Sequence, residues 1–159
     1  DTSNGKEPIE WRVLAVEGNR AYVVSQKALD AHAFNADEDD GNDWTSSDLK
    51  KWLENDFASQ AFTGDDMKEI SGAPTLLSID EANKYFMSDK DRQCCPTDRL
   101  KQQWGWDLDD NDACDWRLRS PSVDSYDAAG VSSNGYVNSD GLYVVYADLA
   151  VRPALWVNL

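Results

Sequence analysis

The chain has 159 residues and a formal net charge of −15, with 41% hydrophobic and 11% aromatic residues, seven of them Trp. That length suits a single domain spanning 1–159 that buries roughly 70% of its unfolded surface, and so many Trp argue against disorder. The acidity would repel nucleic-acid phosphates and an anionic membrane surface, and no apolar run reaches the ~18 residues that a membrane helix needs.

The sequence opens at Asp1 rather than Met, so a trimmed or processed product is expected, and its cellular address is not read from its start. Ile9 to Val16 begins with alternation and ends apolar, which predicts a strand. Gly18-Asn19 is a turn signal, and Arg20 to Ser25 reads as the returning strand of a hairpin. Lys27 to His32 is expected to form a short turn or helix, and Asn35 to Asp43 an acidic loop. Ser46-Ser47-Asp48 offers N-cap oxygens to a helix whose apolar stripe is Leu49, Trp52, Leu53 and Phe57. A second helical piece is expected over Asp65–Ile70, and a short strand over Pro74–Leu77. Ser78 followed by Glu81 has capping-box spacing and opens a helix through Tyr85-Phe86; a further helix is expected over Thr97–Trp104.

From Trp116 the character changes. Ala128–Ser132 is a candidate strand, Asn134-Gly135 is a strong hairpin signal, and Asp140-Gly141 repeats that signal six residues later. A small antiparallel meander with exposed tips is expected. Val151 to Val157 closes the chain as an apolar strand, with Pro153 at an edge or strand end. Helices in the middle and strands at both ends give the class α+β, and the first and last strands are expected to pair.

The segment Ser120–Ala150 is rich in Ser, Asp, Tyr, Val and Gly and contains no Lys, Glu, Gln, Met or Trp, although all five occur elsewhere. Tyr supplies large rigid contact area with few rotors to freeze. Ser, Gly, Asn and Asp supply adaptable hydrogen bonding. This is the composition of a binding surface, with Tyr126, Tyr136, Tyr143 and Tyr146 as anchor candidates and at least two expected to be exposed. A scaffold that carries such a surface needs its own core, and Trp11, Trp52, Trp116, Leu118 and Trp156 are candidates for it. Some of these Trp could instead be ligand platforms, and Trp104 and Trp106 stay undecided.

Three stretches carry a family resemblance. They are Pro8-Ile9-Glu10-Trp11-Arg12-Val13-Leu14 with Ala28-Leu29-Asp30, then Leu77-Ser78-Ile79-Asp80-Glu81-Ala82, and Trp116-Arg117-Leu118-Arg119-Ser120-Pro121 with Val151-Arg152-Pro153-Ala154-Leu155-Trp156. Together they resemble DUF6273, a bacterial and viral domain grouped with C-type lectin-like and formylglycine-generating-enzyme-like folds. Arg117 departs from the pattern, where a second Trp is common, and Ala150 stands where Gly is common. The group includes variable proteins of diversity-generating retroelements, in which a reverse transcriptase miscopies adenines in a template repeat. Randomising the two adenines of an Asn codon never yields Lys, Glu, Gln, Met or Trp, which are five of the eleven residue types absent here.

The resemblance implies a C-type lectin-like fold and a non-catalytic display domain, with residues 120–150 as the variable segment. Its scaffold positions would be Ala128, Ala129, Val131, Gly135, Val137, Gly141 and Val144. Its ligand-contacting positions would be Val123, Asp124, Tyr126, Asp127, Gly130, Ser132, Ser133, Tyr136, Asn138, Leu142, Tyr143, Val145, Tyr146, Asp148 and Leu149. The implied partner is a protein or glycan on a cell surface, and the implied setting a virion or cell surface. Alternatives are an enzyme on the formylglycine-generating-like scaffold and a non-diversified bacterial surface module.

No catalytic, metal or cofactor site is expected. Asp37 to Asp43 and Asp107 to Asp112 fail the EF-hand pattern, because no glycine and closing acid fall in register, and the second is the better candidate of the two. His32 is the lone histidine, far in sequence from Cys94, Cys95 and Cys114, so neither a zinc site nor a histidine-based triad is supported. Three cysteines do not make a disulfide framework. Cys94 or Cys95 could bridge Cys114, but reduced thiols are the expectation.

Overall fold

The expected hairpin opens the computed structural model, which describes residues 7–106 and 112–159. β1 (Trp11–Glu17) turns at Gly18, whose φ of +60° suits glycine, into β2 (Arg20–Ser25). Lys27–His32, expected to be a turn or helix, instead contains the two-residue strand β3 (Asp30–Ala31), because its main chain finds a strand partner late in the sequence. The acidic loop follows, with single 3-10 turns at Glu38–Asp40 and Trp44–Ser46.

Ser47 caps α1 (Asp48–Trp52), accepting a hydrogen bond from the Lys50 amide, and the helix runs on through a π turn (Leu53–Phe57) into α2 (Ala58–Ala61). Of the expected stripe, Leu49, Leu53 and Phe57 are buried and Trp52 is half-buried. α3 (Asp66–Glu69) leads straight into β4 (Ile70–Thr75). The strand expected over Pro74–Leu77 therefore ends at Thr75, and Leu76 and Leu77 enter the core outside it. Pro74 offers no N–H, and the register with the neighbouring strand shifts between Ser71 and Thr75.

α4 (Ile79–Tyr85) begins with the full Ser78–Glu81 capping box, followed by α5 (Asp89–Arg92) and by α6 (Asp98–Trp104), which Thr97 caps. The remaining strands are β5 (Trp116–Pro121), β6 (Asp127–Val131), β7 (Val137–Tyr143), β8 (Ala150–Val151) and β9 (Ala154–Asn158). Pro153 sits in the break between the last two, a strand-end position.

Two sheets result, with orders β1-β2-β9-β4 and β3-β8-β5-β6-β7. The class is α+β. The first and last strands do not pair, because β2 lies between them. The physical reason is burial: residues 21–25 of β2 are all buried and need neighbours on both edges, whereas β1 exposes Val13 and Val16 and stands at the sheet margin. One core cluster joins Trp116, Leu118, Val131 and Ala129 to Tyr22, Val24 and Phe86. A second joins Leu49, Leu53, Phe57 and Phe34 to Ala128, Val144 and Val151. Arg152 is buried beside the first cluster, its guanidinium 5.0 Å from the Trp116 ring centre and 5.1 Å from that of Phe86, and Nε donates to the Ser25 carbonyl at 2.8 Å.

Candidate functional site

β6 and β7 form the hairpin that Asn134-Gly135 signals. Gly135 adopts φ +87°, and an added Cβ would lie 1.7 Å from the Asp89 carbonyl oxygen, so only glycine fits there. Asp140-Gly141 does not turn the chain. It sits inside β7, where Ala128 pairs with Leu142 and Gly130 with Asn138, leaving a bulge over 139–141. Two side chains hold that bulge: Asn138 bonds the Gly141 main chain both ways, and the Ser122 hydroxyl donates to the Asp140 carbonyl at 2.7 Å. Local side-chain bonds have turned a hairpin signal into a bend.

The scaffold positions fall inward. Ala128, Ala129, Val131, Gly135 and Val144 are buried, and Val137 and Gly141 are half-buried. Six of the fifteen contact positions are exposed. Tyr126, Tyr136 and Tyr146 are 45%, 58% and 55% exposed, Val123 is fully exposed, and Asp124 and Asp148 are exposed. Asp127, Ser132, Ser133, Asn138, Leu142, Tyr143 and Val145 are half-buried. Gly130 and Leu149 are buried and cannot present a side chain to a ligand. A Cβ on Gly130 would come to 2.7 Å from Leu142 Cδ1 and 3.0 Å from the Trp116 carbonyl oxygen, so a larger residue there requires both neighbours to shift.

The exposed positions lie at two ends of the hairpin. Tyr143 and Tyr146 meet edge to face at 5.3 Å, and the Tyr126 carbonyl accepts from the Val144 amide, so these three tyrosines gather at one end with Val123 and Asp124. Tyr136 stands at the β6–β7 turn, about 13 Å away along the length of β6. The four do not form one cluster. Burial pushes the Asp127 carboxyl up, and neighbouring Asp124 adds to that shift.

The segment's loops are gripped from outside. The Asn42 amide nitrogen lies within 3.0 Å of the carbonyl oxygens of Ser122, Asp124 and Asp127. The Arg117 guanidinium donates to the carbonyls of Tyr143, Val144 and Tyr146, at 2.8 to 3.3 Å, and to that of His32 at 3.1 Å. Arg92 Nε donates to the Gly135 carbonyl at 2.9 Å and Gln93 to that of Ser133 at 3.1 Å, while the Asp115 carboxylate accepts from the Ser133 amide at 2.7 Å. In each of these bonds the segment contributes a main-chain atom. Arg117 is fully buried, and desolvation lowers it to about 10, with Asp148 opposing the shift.

Sequence reasoning missed all five of these residues as a set. Arg117 carried a signal, since it departs from the Trp common in the resembled pattern; Asn42 lay hidden in a run read for calcium. In that run Asp37 and Asp43 instead cap the two 3-10 turns, and Asp43 is held low by the hydroxyl and amide of Thr45. Of the better calcium candidate, Asp107 to Asp112, residues 107–111 lie outside the described residues, and Asp112 pairs with Lys101 at 3.3 Å. Among the described residues no group of three or more His, Cys, Asp or Glu could hold a metal, and no helix is long and apolar enough to cross a membrane. Cys94 and Cys114 are buried, which pushes both thiols up; the Cys114 amide bonds the Cys94 carbonyl, and no disulfide joins them.

No curated protein and no solved structure matches the chain. A family model described as "Domain of unknown function (DUF6273)" matches residues 67–159, which takes in β4 to β9, every position of the segment and four of the five side chains that grip it. By that match over more than half its length, the chain belongs to the DUF6273 family.

Proposed function

We propose that the chain is a non-catalytic ligand-binding domain of C-type lectin-like type whose 122–149 surface is the variable region of a retroelement-diversified protein. The observation that carries this reading is the main-chain grip by Asn42, Arg92, Gln93, Asp115 and Arg117. A site whose side chains change must be held by something that does not change with them, and main-chain atoms meet that need. The absence from the segment of all five types that adenine miscopying cannot yield also supports it, within the eleven types it lacks. So does the inward placement of the scaffold positions. Burial of Cys94 and Cys114, with both thiols pushed up, weighs against thiol chemistry on this scaffold. The ligand is a protein or glycan on a cell surface, contacted by the tyrosines at both hairpin ends.

Two tests bear on this. Replacing Tyr136 and Tyr143 with Ala should abolish binding of labelled protein to target cells and leave the circular-dichroism spectrum and melting unchanged; unfolding would instead assign those rings to the core. The DNA beside the gene should hold a near-copy of its 3′ end that differs only at adenines, next to a reverse-transcriptase gene. A locus without both removes diversification and leaves only a binding fold.

A further inference from the structure

Outside the segment, the molecule carries a cleft of about 970 Å³, at the upper end of the range for ligand sites. None of its lining residues comes from 120–150. One wall is a run of rings in mutual contact. Trp11 stacks on Phe62 at 6.2 Å, Phe62 meets Phe57 edge-on at 5.8 Å, and Phe57 meets Trp52 at 5.8 Å. Trp11, Trp52 and Phe62 are half-buried and line the cleft, and one face of Trp52 is taken by the His32 ring at 4.9 Å. Packing alone does not account for large aromatic surface left exposed in a concavity. The rest of the lining is strongly biased in charge, with five carboxylates against the single guanidinium of Arg99. Asp65 and Glu69 stand on the exposed rim, Asp65 paired with the exposed Lys68 at 2.7 Å, which a guest guanidinium would have to displace, and Asp30 lies half-buried.

Aromatic faces carry negative potential, and carboxylates reinforce it, so both walls favour the same guest, a cation with apolar or planar surface. Arginine fits best, because its guanidinium stacks on rings and forks onto carboxylates, and an open cleft of this size holds several side chains. We propose that this cleft docks a flexible, arginine-bearing segment of a partner protein. The guanidinium groups lie over Trp11, Phe62 and Trp52 while Asp65 and Glu69 bind the exposed ends. The site belongs to the constant part of the domain and is independent of the tyrosine surface.

The probe is a fluorescein-labelled Arg-Gly-Arg-Gly-Arg peptide at physiological ionic strength, read by anisotropy and by shifts of the Trp indole N–H signals. Binding should shift the Trp11 and Trp52 indoles and leave Trp116 in place. The rim variant D65N/E69Q should bind at least about fivefold more weakly. A variant with the same charge change in the acidic loop, E38Q/D39N, should differ by less than about twofold. Equal losses in the two variants would reduce the effect to the overall negative field and overturn the proposal. Unmoved Trp11 and Trp52 signals would overturn it as well. Complete displacement by tetramethylammonium at matched charge would assign the cleft to a small cation and not to a peptide.

Discussion

Replacing Arg117 with Met tests the grip directly. The guanidinium reaches four carbonyls, and the loss is unequal among them. The Val144 carbonyl keeps the amides of Phe34 and Asn35, and the Tyr143 carbonyl keeps the Tyr146 amide. Those of His32 and Tyr146 depend on the guanidinium. A buried carbonyl left without a donor costs about 1–3 kcal/mol; both of these bonds are part-buried, so the two together cost at most about 6 kcal/mol. Part is offset, because the guanidinium is itself desolvated, and its Nη1 has no hydrogen-bond partner among the described residues. The net expectation is a loss of about 3 kcal/mol. With a urea m-value of about 2 kcal/mol/M, the unfolding midpoint should fall by about 1.5 M. Hydrogen exchange should speed up at the Val144 and Tyr146 amides, and R117K, one point donor in place of a fork, should fall between. As a comparison, Tyr146→Ser should cost less than about 1 kcal/mol, because its side chain is exposed. A midpoint for R117M within about 0.3 M of the parent would refute the reasoning. So would a Tyr146→Ser loss as large as that of R117M.

Asn42→Ala should cost about 1–2 kcal/mol and speed exchange at the Tyr126 and Asp127 amides, while Asn42→Asp should be worse because a carboxylate repels three carbonyls; equal stability of the two would argue against a donor role. Gly135→Ala should lose more than about 3 kcal/mol in chemical denaturation, since the methyl group meets the Asp89 main chain, whereas Gly64→Ala, with open space around it, should stay within about 0.5 kcal/mol. Asp91 takes a two-pronged ion pair from Arg12 at 2.8 Å, which holds its carboxyl down to about 2. Its folded value lies below the unfolded one, so this stability is complete above about pH 4 and is lost as pH falls through 2. Asp91→Asn should therefore cost about 1–2 kcal/mol at neutral pH, with the gap to the parent closing in acid; a gap independent of pH would count against the pair.

What could be foreseen from the residues divides by range. Helices α1, α4 and α6 were legible because Ser47, the Ser78–Glu81 pair and Thr97 act within three or four residues of what they cap. The Asn134-Gly135 turn was legible for the same reason. Asp140-Gly141 carries the same dipeptide signal, but Ser122, eighteen residues away, holds the chain there, and local pattern holds no record of that bond. The place of β2 between β1 and β9 follows from burial on both edges, which hydrophobic alternation alone does not order. Composition pointed to the candidate surface, of whose fifteen contact positions six are exposed, seven half-buried and two, Gly130 and Leu149, buried because the backbone around them is crowded or covered. The grip was invisible, since Asn42 and Arg117 act across as many as 85 residues, through polar side chains that look like ordinary surface.

The grip has a consistent polarity. Of its contacts with the segment, all but the one from Asp115 to the Ser133 amide end on carbonyl oxygens. The carbonyl is the one main-chain hydrogen-bonding group that all twenty residue types possess, for proline lacks the N–H. A hold built on amide hydrogens would forbid proline at each point it touches. This one forbids it only at residue 133, so even the residue most hostile to regular structure leaves the remaining fastenings in place.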